Sequence, residues 1–208
     1  MLTKVTGEIL LATNNAGKVL ELRQLLSDLG GVRLLTPREA GISLDVEETG
    51  STYQENVGLK AAAFVHASGI VTLADDSGLE VDALDGQPGI HSARYASQPG
   101  ATDSDRRAYL LENLAGKPHP WDAHFVAWVA LAVPGEEVRF WEGQCQGEII
   151  PEERGSNGFG YDPIFYIPEM GKTMAELNDD EKNALSHRGN AVRAALPAIR
   201  ELFGAAID

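Results

Sequence analysis

The sequence contains a single cysteine, Cys145, among its 208 residues. One thiol excludes an internal disulfide and is typical of a reducing compartment, so we expect a cytoplasmic protein. No basic residue lies near Cys145 in the sequence to activate the thiol, which favours an inert strand residue over a nucleophile. The spacing of cysteine and histidine also excludes a zinc site of the usual kind.

Positive charge is scarce, because 17 Lys and Arg residues stand against 31 Asp and Glu residues, for a net charge of −14. A phosphate backbone would be repelled by such a protein, so we expect no nucleic-acid partner. A small anionic substrate remains compatible with this charge only if a local basic cluster or a metal ion receives it.

Long apolar runs are absent, and the N-terminus lacks the basic, apolar and cleavage regions of a targeting segment. We therefore expect a soluble protein with no membrane partner. Hydrophobic residues make up 43% of the chain, enough for a substantial core. The length predicts one domain over residues 1–208, built as two lobes.

The segment that organises the chain is the apolar run Ile70–Ala74, followed directly by Asp75, Asp76, Ser77 and Gly78. The pattern predicts a buried strand that ends at the two carboxylates, with Ser-Gly as a turn. Strand ends commonly carry the chemistry of α/β proteins, and paired carboxylates suit a hard divalent cation. The alternative is that the two acids simply begin a turn.

A second candidate site lies near the N-terminus. Glu8–Thr13 is predicted to be a strand, Asn14–Lys18 a small polar loop, and the following residues a helix that ends at Gly30-Gly31. The start of such a helix presents backbone N–H groups and a positive dipole to a phosphate, and Lys18 adds a charge. The loop lacks the glycines of a Walker A motif, and an asparagine cap without ligand is the alternative.

An acidic segment, Asp45–Gly50, precedes a predicted helix that starts at Thr52 and ends near Gly69. Glu47 and Glu48 would complete a metal site if they lie beside the two aspartates, whereas a surface acidic run is the alternative. Lys60 lies on one face of this helix, directed either at a polar cleft or at solvent.

Two further elements are predicted in the middle of the chain. Thr102 or Asp103 caps a helix that continues to about Ala115 and directs Tyr109 inward. Residues 123–133 are apolar on both alternating faces, which predicts a central strand covered on both sides. Residues 138–141 and 147–150 are predicted to extend the sheet.

The glycine-rich loop Gly155–Pro163 presents the aromatic rings of Phe159 and Tyr161 together with Asp162. Flat rings in a flexible loop form a stacking platform for a base, and the carboxylate would accept hydrogen bonds from ring N–H groups. Core packing of Phe159 is the alternative.

A cationic cluster follows the glycine-rich loop. Lys182, His187 and Arg188 concentrate positive charge and hydrogen-bond donors in an otherwise acidic chain. An anionic ligand is the simplest reason for such a cluster.

Four blocks of sequence, taken in order, resemble the inosine triphosphate pyrophosphatase family over nearly the whole chain. They are Thr13–Lys18, Glu47–Asn56, Ala74–Leu79 with Pro88–Tyr95, and Gly158–Pro163 with Glu181–Gly189. One departure is Asn14, where many members carry a smaller residue such as glycine.

The resemblance implies Mg²⁺-dependent hydrolysis of ITP, dITP and XTP to the monophosphate and pyrophosphate. It implies Asp76 as general base, and Glu47 and Asp76 as metal ligands with Glu48 and Asp75 as second choices. The substrate contacts that it implies are Thr13, Asn14, Asn15, Ala16, Gly17, Lys18, Lys60, Ser77, Phe159, Gly160, Tyr161, Asp162, Lys182, His187 and Arg188.

The expected fold is α/β, a long twisted mixed β-sheet flanked by helices in two lobes with the active site in the central cleft. The resemblance also implies a homodimer. Two alternative functions stay open at this point: a nucleotide-binding sensor without turnover, and a pyrophosphatase that prefers another base.

Overall fold

The computed structural model describes residues 7–204. Its strands form a seven-stranded sheet in the order β2-β1-β3-β4-β5-β6-β7. Strand β1 pairs in parallel with both β2 and β3, whereas β6 pairs antiparallel with β5 and β7, so the sheet is mixed. The strands are β1 Gly7–Leu11, β2 Val32–Leu35, β3 Val71–Val81, β4 Trp121–Ala132, β5 Arg139–Ile149, β6 Phe165–Ile167 and β7 Lys172–Thr173.

Helices alternate with the strands from β1 to β4, whereas strands β4 to β7 follow one another without an α-helix between them. The mixed sheet with its helices confirms the predicted α/β class. The α-helices are α1 Ala16–Leu25, α2 Tyr53–Ser68, α3 Asp103–Leu114, α4 Asp179–Leu185 and α5 His187–Leu202. Short 3₁₀ helices cover Asp82–Leu84, Gly89–Arg94, Asp162–Ile164 and Met174–Glu176. Within residues 7–204, no helix has the length and apolar character needed to cross a membrane.

The chain divides into two compact units. Unit 1 takes in the described residues up to Asp76, then Ala127–Gly143 and the residues from Arg188 onward, and unit 2 takes in Ser77–Val126 and Gln144–His187. The chain passes from unit 1 to unit 2 after Asp76 and after Gly143, and it returns to unit 1 at Ala127 and at Arg188.

Each unit has its own hydrophobic core. In unit 1, side chains of α1 and α5 pack with β1, β3 and β4, and a second cluster joins α2 to the same strands. In unit 2, Leu110 and Leu114 of α3 pack against the inner side chains of β4, β5 and β6. The Phe165 ring at the centre of this core lies 4.4 Å from the ring of Phe125.

Strand β3 corrects the sequence-based expectation for the two aspartates. It was expected to end at Asp75, yet it continues through Asp76, Ser77 and Gly78 to Val81. The carboxylates are therefore part of a strand and do not begin a turn. Burial of Leu79 and Val81 beyond them, together with the cations around Asp75 described below, explains why a charged pair does not terminate the strand.

Other predicted elements are mostly confirmed. Helix α2 is capped by the Thr52 side chain and ends at Gly69 in the left-handed conformation, and Thr102 caps α3 as expected. Helix α1 ends at Leu25, earlier than the predicted stop at Gly30-Gly31. Tyr109 was predicted to face inward but is 41% exposed, because its ring packs beside that of Tyr95 on the surface.

The packing of unit 2 predicts a large cost for removing its central ring. Phe165→Ala should lower the free energy of unfolding by about 3–5 kcal/mol, because the fully buried ring leaves a cavity. Met170→Ala is the control in the same unit, since Met170 is 40% exposed, and its change should stay within about 0.5 kcal/mol. Urea unfolding measures both values, and equal values for the two variants would contradict the assignment of this core.

Candidate active site

The buried carboxylate of Asp75 lies at the centre of an ion-pair network in unit 1. Its side chain is inaccessible to solvent, and Oδ1 lies 2.6 Å from Lys18 Nζ. Arg188 Nε donates to Asp75 Oδ2 at 3.0 Å. Burial alone would raise the pKa of Asp75, but the positive charges of Arg188 and Lys18 lower the pKa well below its usual range.

A second anion balances this network. Arg188, which is 1% exposed, also donates from Nη1 to Glu21 Oε2 at 2.5 Å. The two carboxylates of Asp75 and Glu21 thus match the two cations of Lys18 and Arg188. Glu21 was not among the site residues predicted from the sequence, although its position three residues after Lys18 places both side chains on one face of α1.

Asp76 has a different electrostatic environment from Asp75. Burial is the main cause that raises the pKa of Asp76 to about 6, and the negative charges of Glu48 and Asp75 act in the same direction. The charges of Lys18 and Lys60 oppose this rise. A carboxylate with a pKa in this range is ionised at neutral pH yet accepts a proton readily, which is the property of a general base.

The acidic segment before α2 is held against that helix. Lys60 Nζ lies 2.5 Å from Glu48 Oε1 and donates to the Asp75 carbonyl oxygen at 3.3 Å. Gly50 N donates to Asn56 Oδ1 at 2.8 Å, which anchors the end of the segment. The structure therefore brings Glu48 to the two aspartates, whereas the side chain of Glu47 is exposed.

The loop before α1 has the geometry of a helix cap. Asn15 Oδ1 accepts a hydrogen bond from Lys18 N at 3.0 Å, and Asn15 N donates to Thr13 Oγ1 at 3.2 Å. Asn15 is therefore the N-cap of α1, as one of the two interpretations of this loop predicted. Ala16 and Gly17 occupy the first two positions of the helix. Backbone N–H groups at these positions have no acceptor within a helix and can therefore bind an anion.

The carboxylate oxygens of unit 1 suit a hard cation that takes its other ligands from phosphate and water. Among the residues that the structure describes, no group of three or more His, Cys, Asp and Glu side chains converges on one point. Mg²⁺ is commonly held by one or two carboxylates together with phosphate oxygens and water. Asp76 and the acids of the 45–48 segment fit that pattern better than Asp75, whose oxygens contact Lys18 and Arg188.

In unit 2 the glycine-rich loop folds around the carboxylate of Asp162. Oδ2 of Asp162 accepts from Phe159 N at 2.9 Å and from Lys182 Nζ at 2.6 Å. Gly158 has φ +75°, and a Cβ at this position would lie 2.0 Å from Asp162 Oδ2. Glycine is therefore required at position 158 for the loop to approach the carboxylate so closely.

The side chains predicted to contact a base are found around this loop. Lys182 Nζ lies 5.1 Å from the centroid of the half-buried Phe159 ring. His187 is buried and stacks on Phe125, with centroids 4.6 Å apart and planes inclined by 14°. The Tyr161 hydroxyl donates to the Ser92 carbonyl oxygen at 3.0 Å inside the core of the unit.

The structure thus sorts the predicted site residues into two sets. Unit 1 holds the loop and helix start of α1, Lys60, Glu47, Asp76 and Arg188, and unit 2 holds Ser77, the glycine-rich loop, Lys182 and His187. Lys182 and Arg188 do not act as isolated cations, because Asp162 and Asp75 respectively pair with them. Cys145 is a strand residue as predicted, and burial raises the pKa of its thiol to about 11, so that it is inert.

Comparison with known proteins gives relatives of similar length. The chain is 48% identical over 195 residues to a dITP/XTP pyrophosphatase of Thermus thermophilus, covering 93% of this chain and 92% of the relative. It is 45% identical over 186 residues to a dITP/XTP pyrophosphatase of Staphylococcus epidermidis, covering 89% and 93%.

Solved structures agree with this result. A HAM1 protein from Coxiella burnetii matches with a TM-score of 0.83 at 42% identity, covering 94% of this chain and 99% of that one. The Ham1 protein of Staphylococcus aureus matches with a TM-score of 0.82 at 40% identity and the same coverage. The Ham1 family model matches residues 9–198. The resemblance inferred from the four sequence blocks is confirmed, and the chain belongs to the Ham1 family.

Proposed function

We propose that this protein hydrolyses non-standard purine nucleoside triphosphates, namely ITP, dITP and XTP, to the monophosphate and pyrophosphate. The observation that carries this proposal is the buried Asp76, whose pKa is raised to about 6 beside Lys18 and Lys60. A proton acceptor next to two cations suits the attack of water on a polyphosphate. The names of the relatives, dITP/XTP pyrophosphatases, support the same reaction and substrate class.

The triphosphate binds at the start of α1 in this proposal. Backbone N–H groups of Asn14–Gly17 and the Thr13 hydroxyl contact phosphate oxygens, and the Lys18 ammonium adds a full charge. Lys60 assists from α2, where its pairing with Glu48 holds the ammonium near Asp75 and Asp76. Burial lowers the pKa of Lys18, and the Asp75 carboxylate opposes that shift, which favours the charged form that phosphate requires.

The magnesium ion would be held by Asp76 and Glu47, with Glu48 and Asp75 as second-choice ligands. When bound, it would screen the phosphates and stabilise the charge that develops on the leaving group. The fit rests on the carboxylate oxygens of these residues, which are donors of the kind that Mg²⁺ prefers.

Asp76 acts as general base on the water that attacks the α-phosphorus. The carboxylate takes a proton from this water as the new P–O bond forms, and the bond between the α-phosphorus and the bridging oxygen breaks. The pyrophosphate that leaves carries its negative charge toward Lys18 and Lys60. The protein forms no covalent intermediate, so this scheme needs no Ser or Cys nucleophile.

The base is selected mainly by residues of unit 2. The ring of Phe159 stacks on the purine, while Ser77, Gly160, Tyr161 and Asp162 shape its surroundings. Donors from Lys182 and His187 of unit 2 and from Arg188 of unit 1 pair with the 6-keto oxygen of hypoxanthine or xanthine, whereas the 6-amino group of adenine is itself a donor and cannot accept from them. Each unsatisfied buried donor costs about 1–3 kcal/mol, so two of them give discrimination on the order of a hundredfold.

In this proposal the phosphates of one nucleotide contact the residues of unit 1 and its base contacts those of unit 2. Two pairs of these residues are consecutive in the chain, Asp76 with Ser77 and His187 with Arg188. A cytoplasmic homodimer without nucleic-acid or membrane partners completes the proposal. The resemblance to the family implies the dimer, whereas the single cysteine, the net charge of −14 and the lack of long apolar runs support the other parts. Sedimentation analysis of the purified chain tests the dimer.

A triphosphate panel tests the function itself. With Mg²⁺, ITP, dITP and XTP should yield monophosphate and pyrophosphate at rates about a hundredfold above ATP, and chelation by EDTA should abolish product. Anion-exchange chromatography of the products separates pyrophosphate from orthophosphate. Binding of ITP without turnover would indicate a sensor, and equal rates on ITP and dTTP would remove the proposed base selection.

Replacement of the proposed base tests the mechanism. Asp76→Asn should lower kcat for ITP by a factor of about 10²–10⁴, because the amide cannot take the proton. Binding of ITP, measured by calorimetry, should remain because the phosphate contacts of α1 are kept. Asp122→Asn, an exposed carboxylate on the neighbouring strand β4, is the matched control and should behave as wild type. A kcat for Asp76→Asn near that of the control would show that Asp76 is not the base.

A further inference from the structure

A single residue of the glycine-rich loop, Gly160, is held through both of its backbone hydrogen-bonding groups by helix α3. Its N–H donates to Asp103 Oδ2 at 2.8 Å. Its carbonyl oxygen accepts from Arg107 Nη1, also at 2.8 Å. Asp103 and Arg107 are four residues apart and therefore lie on the same face of α3. We call this pair the Gly160 clamp.

Both side chains of the Gly160 clamp are held by further charged residues. Arg107 forms a two-point ion pair with Glu153, with Nε to Oε1 at 2.8 Å and Nη2 to Oε2 at 2.9 Å. Asp103 Oδ1 also accepts a hydrogen bond from Arg106, which lies three residues further along the helix. Burial alone would raise the pKa of Asp103, but the hydrogen bonds from Gly160 and Arg106 lower it, which keeps the carboxylate ionised as an acceptor.

The loop needs such contacts because its own sequence does not determine its conformation. Residues 151–158 are exposed, and Gly160 has φ +62° with open space where a Cβ would lie. On the other side of Phe159, Asn157 donates from N to the Ala175 carbonyl oxygen at 3.0 Å and from Nδ2 to that of Leu177 at 2.9 Å. Phe159 lies between Asn157 and Gly160, and its own N–H donates to Asp162 Oδ2 at 2.9 Å. These bonds fix the backbone of Phe159 on three sides, and the contacts from α3 to Gly160 are those that come from outside the loop and its C-terminal neighbours.

We propose that Asp103 and Arg107 are positioning residues that fix the Phe159 ring for stacking on the substrate base. The inference deepens the proposed function and depends on it, since the clamp touches the loop and not the substrate. Its loss should weaken recognition of the base while the phosphate contacts of α1 in unit 1 stay unchanged. The expected signature is therefore a selective effect on nucleotide binding.

Steady-state kinetics of the full-length protein tests this separation. Arg107→Met and Asp103→Ala should each raise KM for ITP about fivefold to tenfold, the size expected for a lost charge-assisted hydrogen bond, with kcat within about twofold of wild type. The inhibition constant of inorganic tripolyphosphate, which has no base, should stay within about twofold. Arg107→Lys keeps one donor toward the Gly160 carbonyl oxygen, so its KM should lie between those of wild type and Arg107→Met.

Two controls separate the clamp from the ion pair that braces it. Arg23→Met removes a comparable two-point pair of α1, with Glu39, and should leave both constants unchanged. Glu153→Gln weakens the brace but leaves the Arg107 contact to Gly160, so its KM should lie between those of wild type and Arg107→Met.

A double-mutant cycle shows whether the clamp acts through Phe159. In a Phe159→Ala background, Arg107→Met should change KM for ITP by less than about twofold, because the ring to be positioned is gone. Amide hydrogen exchange adds a measurement that does not require turnover, since the Gly160 N–H should exchange faster in Asp103→Ala than in wild type.

Several outcomes would overturn the inference. These are a KM for Arg107→Met equal to that of Arg23→Met, equal losses for ITP and tripolyphosphate, and full additivity with Phe159→Ala. Failure of the proposed function is distinguishable, because it shows in the wild type as the absence of pyrophosphate release from ITP.

Discussion

The burial of the Asp75 carboxylate in strand β3 is the constraint on which the organisation of unit 1 depends. Removing an ionised carboxylate from water costs several kcal/mol unless opposite charges and hydrogen bonds replace the hydration. Lys18 and Arg188 provide these, and Glu21 balances the second cation. Because Lys18 belongs to α1 and Arg188 to α5, the same contacts fix the start of α1 relative to β3.

This network also explains how two adjacent aspartates acquire different chemistry. Asp75 has two cations in direct contact and stays ionised, so it serves as a fixed structural charge. Successive residues of a strand point to opposite faces, and at Asp76 the charges of Lys18 and Lys60 offset the effect of burial only in part, so that its pKa is raised. One member of the pair therefore orders the cations, while the other keeps the basicity that the proposed hydrolysis requires.

In unit 2 the glycine-rich loop has little conformational preference of its own, and hydrogen bonds to its backbone fix its conformation. Close approach at Gly158 lets the loop fold around Asp162, where Lys182 and the Phe159 amide converge. Contacts from α3 to Gly160 then hold the far side of the loop. A flexible sequence is thus rigid in the folded protein because side chains distant in the sequence satisfy its backbone groups.

Local pattern in the sequence determined the α/β class, the caps of α2 and α3, the start of α1 with Lys18 in its first turn, and the two aspartates as candidate site residues, because these depend on neighbours within a few residues. The continuation of β3 past Asp76 was predicted wrongly, since a charged pair reads as a strand end until its counter-ions are known. Glu21 was missed for the same reason, because its partner Arg188 is 167 residues away. Only the tertiary structure brings such groups together, and a buried charge has no interpretable role until its partners in space are identified.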